Sequence, residues 1–273
     1  MPESIVNANA EKAQSQAIAL FVSDVHLQPA MPGTTQAFID FLHRHASKAQ
    51  QLYLLGDLFE YWAGDDDIVS PYNQRIAEAI KAVSDAGVAV FWLGGNRDFL
   101  IGESFAGATG ITLLSEPFIT KIAGHRIVLA HGDAQCTDDL GYMAFRAQVR
   151  DKAWQRNFLA MPLTQRKEII DRMRMGSREA QRGKSYEIMD VNPSAIASLF
   201  ALTEATVMVH GHTHRPAVHQ HEWNSRQCVR YVLPDWDCDL EPARGGWLAL
   251  HDDGTFTRIN FDGSAFKQDC NGA

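Results

Sequence analysis

The sequence is poor in cysteine and lacks any long apolar run. Its 273 residues include only 4 cysteines, and no two of them have CxxC spacing. That scarcity excludes a disulfide-rich scaffold and favours a reducing cytosol. Apolar stretches such as 18–22 and 127–130 have the length of strands, whereas a membrane-spanning helix needs about 18 apolar residues or more. Residues 1–16 also lack the cationic start and apolar core of a signal peptide, so we expect them to form a disordered lead-in.

Positive charge is scarce as well, and much of it lies in one segment. The formal net charge is −8, which argues against a nucleic-acid-binding protein. Residues 141–190 nevertheless hold 11 Lys and Arg against 6 Asp and Glu. A basic segment in an acidic chain indicates either an anionic ligand or membrane surface, or an ordinary solvated helical surface. Charge alone favours the solvated surface.

The first half of the chain contains alternating strand and helix patterns. Apolar runs predict strands at 17–23, 52–55 and 88–93. Helical spacing of apolar residues occupies 34–45 and 73–86. Later in the chain, Asn192-Pro193 has the form of a helix start, an N-cap followed by proline at the first helical position.

A change of pattern separates residues 137–190 from the rest. Strand-like runs are absent there, the apolar residues have helical spacing, and Pro162 marks a break between helices. We therefore interpret 137–190 as a helical insertion in a core made of 17–136 and 191–262. A polar tail follows at 263–273.

Side chains able to bind metal follow predicted strands at five places. Open α/β sheets build their sites where strands meet loops. The five places are Asp24-Val25-His26, Gly56-Asp57, Gly95-Asn96-Arg97-Asp98, His131-Gly132-Asp133 and His210-Gly211-His212-Thr213-His214. Taken singly, most of them have an ordinary interpretation as an aspartate in a turn, a glycine-rich bend or a half-buried histidine.

Two of the motifs carry a signal through their spacing. Asp24 and His26 are two residues apart, so an extended segment would turn both side chains to one face. The histidines at 210, 212 and 214 alternate, and the same argument puts all three imidazoles on one face of a strand-like segment. Such a histidine cluster is unusual without a metal ion.

In combination the five motifs predict a dinuclear metal centre. Carboxylate and amide oxygens mixed with imidazoles favour Mn²⁺, Fe²⁺ or Zn²⁺ over Ca²⁺ or Mg²⁺. One central carboxylate can bridge two ions about 3.5–4 Å apart, and such a pair activates water and neutralises charge on a phosphoryl group. The predicted chemistry is phosphoester or phosphoanhydride hydrolysis.

The ordered motifs resemble those of the calcineurin-like metallophosphoesterases, across roughly residues 17–260. The stretches LGDLFE, GDDD, GNRDFL, CTDD, MDVN and HTHRP are similar to one branch of that family, the UDP-2,3-diacylglucosamine hydrolases of lipid A synthesis. The resemblance implies an α+β fold with α/β-type layers. That fold is a metallophosphoesterase β-sandwich flanked by helices, with a helical lid at 137–190.

The resemblance also implies site residues. The first of two Mn²⁺ ions would take Asp24, His26, Asp57 and His214, and the second would take Asp57, Asn96, His131 and His212. Asp57 would bridge the ions, and Asp57, Asn96 and His131 would be catalytic. Substrate contacts are implied at Asn96, Arg97, Asp139, Tyr142, Phe145, Phe158, Arg174, Ser177, Gln181, Lys184 and His212. Gln181 stands where relatives often have asparagine.

The implied reaction splits the pyrophosphate of UDP-2,3-diacylglucosamine into UMP and 2,3-diacylglucosamine 1-phosphate, by metal-activated water attacking the α-phosphorus. The resemblance implies a cytoplasmic protein, peripheral on the inner membrane of a Gram-negative bacterium. We infer no protein partner, and the net charge argues against a nucleic-acid partner. One alternative is another nucleotide pyrophosphatase or phosphodiesterase acting on a soluble substrate. A second is a catalytically inactive scaffold, although such scaffolds usually lose metal ligands and every expected ligand is present here.

Arg97 supports the same branch on chemical grounds. Many relatives have histidine directly after the asparagine, where it can protonate an alkoxide leaving group. Arg97 stays cationic near neutral pH and cannot serve as a general acid. A phosphate monoester, with a second pKa of about 6, leaves without such a proton. Arg97 would then hold phosphate oxygens, and the alternative is a structural ion pair with Asp98.

Apolar residues of the insertion also allow two interpretations. Trp154, Phe158, Leu159, Met161 and Leu163 either pack the insertion onto the core or line a slot for acyl chains beside a basic rim. The residues alone give both interpretations similar weight, and the resemblance favours the slot.

Overall fold

The computed structural model describes residues 15–181 and 190–266, so the predicted lead-in and tail lie mostly outside the described residues. The strands are β1 (Ala17–Val22), β2 (Gln51–Leu54), β3 (Ala89–Leu93), β4 (Thr112–Leu114), β5 (Phe118–Ile122), β6 (His125–Leu129), β7 (Val207–His210), β8 (Ala217–Trp223), β9 (Arg226–Val232), β10 (Gly246–His251) and β11 (Phe256–Asn260). The helices are α1 (Pro32–Arg44), α2 (Pro71–Asp85), α3 (Glu103–Thr109), α4 (Leu140–Arg150), α5 (Lys152–Leu159), α6 (Leu163–Gln181) and α7 (Pro193–Thr203).

These strands form two sheets. The first has the order β11-β10-β1-β2-β3-β4, in which β1 to β4 pair in parallel. The second has the order β5-β6-β7-β9-β8, in which β6, β7 and β9 are parallel. Strands buried on both faces have continuous apolar sequences, which explains the unbroken runs that predicted β1 to β3.

The two sheets pack face to face. Side chains of both sheets, including Phe21, Leu129 and Val209, share one buried apolar cluster. Helices α1 to α3 cover the outer face of the first sheet through residues such as Phe38 and Ile80, and α7 covers the second sheet. Each fully buried side chain of this size stabilises the fold by about 1.5–3 kcal/mol relative to exposure. The predicted sandwich flanked by helices is confirmed.

Two helices begin two residues earlier than their apolar spacing predicts. Helices α1 and α2 start at Pro32 and Pro71. Proline is tolerated at the first helical position because the N–H that it lacks would have no partner within the helix. The predicted start of α7 is confirmed, since the Asn192 side-chain oxygen accepts the N–H of Ser194 at 2.8 Å and Pro193 is the first helical residue.

Helices α4, α5 and α6 lie in the chain between β6 and β7, and Pro162 separates α5 from α6 as predicted. Among the residues described, no helix combines the length and apolar character needed to cross a membrane. We call residues 137–190, which include these three helices, the helical segment. The chain just before it and the chain just after it are in contact. The Asn192 N–H donates to the Gln135 carbonyl at 2.8 Å, and Asn192 Nδ2 donates to Asp138 Oδ1 at 2.8 Å. We call these two contacts the clasp.

Candidate metal centre

The five motifs meet at one edge of the sandwich. Asp24, Asp57 and Asn96 follow β1, β2 and β3 of the first sheet, while His131 and His212 follow β6 and β7 of the second. Carboxyl ends of parallel strands share an edge, so their loops converge. Two clusters of candidate ligands result, each with ligand atoms within 4.8 Å of one another: Asp24, His26 and His214, and Asp57, His131 and His212.

The backbone at the candidate ligands is left-handed and not extended. Asp24 and His26 have φ of 53° and 52°, and Asp57, His212 and His214 have φ of 53°, 67° and 54°. Residues with a Cβ seldom adopt this conformation, which costs about 1–3 kcal/mol each. Asp24 and His26 therefore reach one cluster because two left-handed residues turn the chain. The predicted reason, alternation along an extended segment, is wrong.

Two glycines let the loops after β2 and β3 approach closely. A Cβ on Gly95 would lie 2.2 Å from Asp57 Oδ1, and a Cβ on Gly56 would lie 2.6 Å from the Gly95 Cα. Contacts this short exclude a side chain at either position. The backbone N–H of Arg97 consequently donates to Asp57 Oδ1 at 2.8 Å, and this hydrogen bond joins the two loops at the centre.

The first cluster is built around two facing imidazoles. His26 Nε2 lies 3.2 Å from His214 Nε2, which lies 3.5 Å from Asp24 Oδ1. Asp24 is fully buried, and its Oδ1 accepts no hydrogen bond among the residues described, since 3.5 Å is too long for a good one. An unpaired carboxylate oxygen is costly to bury unless a cation binds it. This oxygen therefore fits the position of a metal ligand.

The second cluster also includes Asn96. His131 Nε2 lies 2.9 Å from Asn96 Oδ1 and 3.6 Å from Asp57 Oδ1. The rings of His131 and His212 meet edge to face, with centroids 5.0 Å apart. The four side chains expected on the second ion are thus brought together. A bridge by Asp57 to the first cluster stays a prediction.

Contacts behind the rings direct Nε2 of two histidines into the clusters. His131 Nδ1 donates to the Leu55 carbonyl at 2.9 Å, because a carbonyl can only accept. His26 Nδ1 faces Glu60 Oε2 at 3.0 Å. Metal-binding histidines commonly have such a partner, which fixes the ring and leaves the other nitrogen unprotonated. Both rings therefore point Nε2 into their cluster, where a bound cation would displace a proton from His131.

The charges around the centre favour cations. Burial by itself lowers the pKa of His131, but the carboxylates of Asp57, Asp24 and Asp133 raise that pKa to about 9. Burial and the neighbouring His131 lower the pKa of His212 to about 4. Carboxylates that stabilise the extra proton of a buried imidazole can also stabilise a metal cation bound in place of that proton. The mixed oxygen and nitrogen donors fit divalent transition metals.

His210 does not join the other two histidines of its motif. It is fully buried, its Nδ1 donates to the Gly211 carbonyl at 2.9 Å, and its Nε2 accepts from Arg230 at 3.0 Å. Burial and Arg230 lower the pKa of His210 to about 3, so the ring stays neutral. The prediction that three alternate histidines share a face is wrong. Strand β7 ends at His210, and the left-handed residues His212 and His214 redirect the chain.

Asp98 binds backbone and not Arg97. Its carboxylate accepts the N–H groups of Gly95 and Leu58, each at 2.8 Å, and so joins the loops after β2 and β3. Arg97 Nε is buried without a hydrogen bond among the described residues. These contacts leave the alternative of a structural Arg97–Asp98 ion pair without support.

Three further acids stand behind the candidate ligands and were given no role from the sequence. The first is Glu60, whose carboxylate lies 3.0 Å from His26 Nδ1. The second is Glu116, which accepts the backbone N–H of His131 at 2.8 Å. The third is Asp235, whose carboxylate lies 3.6 Å from His214 Nδ1. Glu60 comes three residues after Asp57, and this closeness in sequence to a candidate ligand could have indicated that Glu60 lies at the site. Glu116 and Asp235 lie in loops without periodic pattern, and their place is set by tertiary contacts.

Helices α4 and α6 contact the surroundings of both clusters. The Tyr142 hydroxyl donates to Asp133 Oδ2 at 2.6 Å, and its ring centroid lies 5.8 Å from that of His212. Arg174 forms an ion pair with Glu60, directly behind His26. Two of the predicted substrate contacts, one cationic and one aromatic, are therefore next to the centre.

Three other predicted substrate contacts, all in the helical segment, are placed differently. Asp139 accepts the N–H of Tyr142 at 3.0 Å and caps α4. Phe145 is 37% exposed, whereas Phe158 is 3% exposed, stacks on Trp154 with centroids 4.9 Å apart and belongs to the main apolar core. Burial of this kind supports the packing interpretation for Phe158.

The end of the helical segment holds three more predicted contacts. Lys184 lies outside the described residues. The structure describes the backbone of Ser177 and Gln181, as part of α6, but not their side chains. Their contacts with substrate stay predictions.

Comparison with known proteins agrees with this geometry. The calcineurin-like phosphoesterase family matches residues 19–216. A UDP-2,3-diacylglucosamine hydrolase of Aromatoleum aromaticum is 47% identical over 226 residues, covering 83% of this chain and 92% of the relative. An Escherichia coli protein of the same name is 49% identical over 217 residues, covering 80% and 90%. The family resemblance seen in the motifs is confirmed: this chain belongs to the calcineurin-like phosphoesterases and is a metal-dependent hydrolase.

Proposed function

We propose that this protein hydrolyses the pyrophosphate bond of UDP-2,3-diacylglucosamine to UMP and 2,3-diacylglucosamine 1-phosphate. The observation that carries the proposal is the position of two ligand clusters beside a helical segment with cationic and apolar side chains. A substrate that joins a pyrophosphate to two acyl chains matches both features. Relatives at 47% and 49% identity bear the name of this activity.

The metals we propose are two Mn²⁺ ions. Asp24, His26 and His214 would hold one, and Asn96, His131 and His212 would hold the other, with Asp57 shared. When bound, such ions neutralise phosphate charge and acidify water. Imidazole and carboxylate donors together favour Mn²⁺ over Mg²⁺, which prefers octahedra of oxygen ligands. Asp57, Asn96 and His131 would form the catalytic group.

Arg97 has the chemistry to bind the phosphate that leaves. It is half-buried with Nε unpaired among the described residues, and its charge helps to lower the pKa of Glu60. A guanidinium binds phosphate oxygens through paired N–H donors and stays charged at all working pH values. A sugar phosphate leaves largely unprotonated near neutral pH, so no general acid is required at this position.

Residues 137–190 are proposed as a lid over the substrate. Glu60 fixes Arg174 at the inner side, because burial raises the pKa of Glu60 but His26, Arg97 and Arg174 lower it to about 2 and keep it ionised. Several large apolar side chains of the segment are exposed: Leu140, Phe145, Leu159, Met161, Met173 and Met175. Exposed apolar groups beside cations suit contact with acyl chains and a lipid surface. We therefore propose peripheral association with the cytoplasmic face of the inner membrane.

The test is release of the nucleoside monophosphate by the Mn²⁺-loaded protein: UMP from UDP-2,3-diacylglucosamine and from UDP-glucose, and AMP from ADP-ribose. Each buried CH₂ is worth about 0.8 kcal/mol, so contact with even four of them predicts a preference of at least ~100-fold in kcat/KM for the acylated substrate. His131→Ala serves as the control for contaminating activity. Equal kcat/KM values for the three substrates would contradict the proposal and indicate a soluble-substrate pyrophosphatase.

A further inference from the structure

A cavity opens beside His214. It has a volume of about 650 Å³, and its lining includes His214, Pro216, Asp235, Arg244, Asn260 and Phe261. All lining residues lie between 214 and 266, and among the described residues none comes from the helical segment. The metal centre therefore borders two different surfaces, the helical segment and this cavity.

We propose that this cavity binds the nucleoside end of the substrate, a pyrimidine base with its ribose. The inference rests on the proposed function, because it assigns a binding site to the nucleoside side of a pyrophosphate whose other side carries the acylated sugar. The two substituents of a pyrophosphate extend in different directions from the reacting phosphorus. If the acylated sugar lies under the helical segment, the nucleoside needs a separate pocket that reaches the ions, and His214 belongs to both the cavity wall and the first ligand cluster.

The lining offers the groups that a nucleoside requires. Phe261 provides a ring face for the base, and the Asn260 amide provides both a donor and an acceptor for its edge. The Asp262 carboxylate can accept hydrogen bonds from ribose hydroxyls, as acidic residues do in dinucleotide sites. Arg244 provides a cation for the phosphate next to the ions.

The charge of the lining favours a nucleoside over a simple anion. The lining includes two carboxylates, Asp235 and Asp262, and one guanidinium, Arg244. A site built for phosphate alone would have an excess of cations, whereas a neutral base and ribose tolerate this balance. The volume is also within the range of about 300–1,000 Å³ that is usual for small-ligand pockets.

Hydrogen bonds hold these groups in place before any ligand binds. Arg244 Nε donates to Asp235 Oδ2 at 2.9 Å, and a terminal nitrogen of Arg244 lies 3.5 Å from Asp237. Ser264 N–H donates to Asp262 Oδ1 at 2.8 Å, which fixes the turn after β11. Groups that are already fixed lose little conformational freedom on binding.

The experiment fills the cavity from its rim. Ala243 is exposed and lines the cavity, so Ala243→Trp places an indole there without disturbing a ligand of the ions. The matched control is Ala108→Trp, at an exposed alanine of α3 that does not line the cavity. Metal-loaded wild type and both variants are compared for KM with UDP-2,3-diacylglucosamine and for inhibition by UMP and by uridine.

We expect Ala243→Trp to raise the KM and the inhibition constants of UMP and uridine by about tenfold, and Ala108→Trp to leave them unchanged. Asp262→Asn, which keeps an oxygen for Ser264, should reduce the preference for uridine over 2′,3′-dideoxyuridine. Constants for Ala243→Trp that equal those of the folded control would overturn the nucleoside site.

The two proposals fail in different ways. A wild-type protein that does not hydrolyse UDP-2,3-diacylglucosamine overturns the proposed function. Inhibition by UMP and uridine can then be measured with bis(4-nitrophenyl) phosphate as substrate, and it still decides whether the cavity binds nucleosides. Wild-type turnover of UDP-2,3-diacylglucosamine, combined with an Ala243→Trp variant that is inhibited normally, overturns only the cavity.

Discussion

The contact between Glu60 and His26 leads to a sharp prediction about metal affinity. Glu60 uses both oxygens: Oε2 lies 3.0 Å from His26 Nδ1, and Oε1 pairs with Arg174. In Glu60→Gln one oxygen becomes an NH₂ group, so either the contact with His26 or the contact with Arg174 is lost. The ring of His26 is then less well fixed, and its Nε2 is a weaker donor.

The magnitude follows from the burial of the pair. The side chains of His26 and Glu60 are only 13% and 12% exposed, so water replaces the lost contact poorly. Partners of this kind usually change metal affinity about 10–100-fold, or roughly 1.4–2.8 kcal/mol. We expect the dissociation constant for Mn²⁺ at the site of Asp24, His26 and His214 to rise by this factor in Glu60→Gln.

Calorimetric titration of metal-free protein with Mn²⁺ measures this effect directly. Glu78→Gln is the control, since Glu78 is an exposed acid on α2 with the same change of charge. Arg174→Gln leaves Glu60 facing His26 and should lower the affinity less than Glu60→Gln does. If Glu60→Gln and Glu78→Gln bind Mn²⁺ equally well, Glu60 does not position His26 and the reasoning is refuted.

Four further predictions concern the centre and the helical segment. His131→Ala should remove nearly all turnover while circular dichroism shows an intact fold, and activity within about tenfold of wild type at saturating Mn²⁺ would contradict its place in the second cluster. A chelator should abolish activity, and Mn²⁺ should restore it better than Mg²⁺; equal rescue by the two ions at saturation would refute the preference drawn from the donors. Phe158→Ala should lower the free energy of unfolding by about 3–5 kcal/mol in urea titration, because Phe158 is 3% exposed. Phe145→Asp, at a site 37% exposed, should change that free energy by only about 0.5 kcal/mol yet reduce turnover of the diacylated substrate more than that of UDP-glucose, and an equal reduction would argue against acyl contact.

The candidate ligands could be found from the sequence because each follows a strand. Apolar runs predicted β1, β2 and β3, and parallel strands end at a common edge, so Asp24, Asp57 and Asn96 had to lie near one another. The approach of His131 and His212 from a second sheet required the family resemblance. Strand pairing between distant segments is not encoded in local periodicity.

Backbone handedness could not be predicted in the same way. Spacing of two residues suggested shared faces for Asp24 and His26 and for the three histidines of 210–214, but left-handed residues at most of these positions broke the pattern. For Phe158 the sequence left packing and acyl contact equally open, because a helical apolar residue has the same spacing whether it meets the core or a ligand. Glu116 and Asp235 gave no signal, since their roles arise only from contacts across the fold.

The clasp formed by Asn192 with Gln135 and Asp138 makes the helical segment a detour that leaves the core and returns to it at one point. Replacing the detour by one of another length or shape would leave the register between β6 and β7 unchanged, because no strand residue is displaced. The sequence of the strands and the sequence of the detour can therefore change independently in evolution. The strands can keep the candidate ion ligands while the detour changes, and chimeras joined at 135 and 192 would exchange the part proposed to bind acyl chains without altering those ligands.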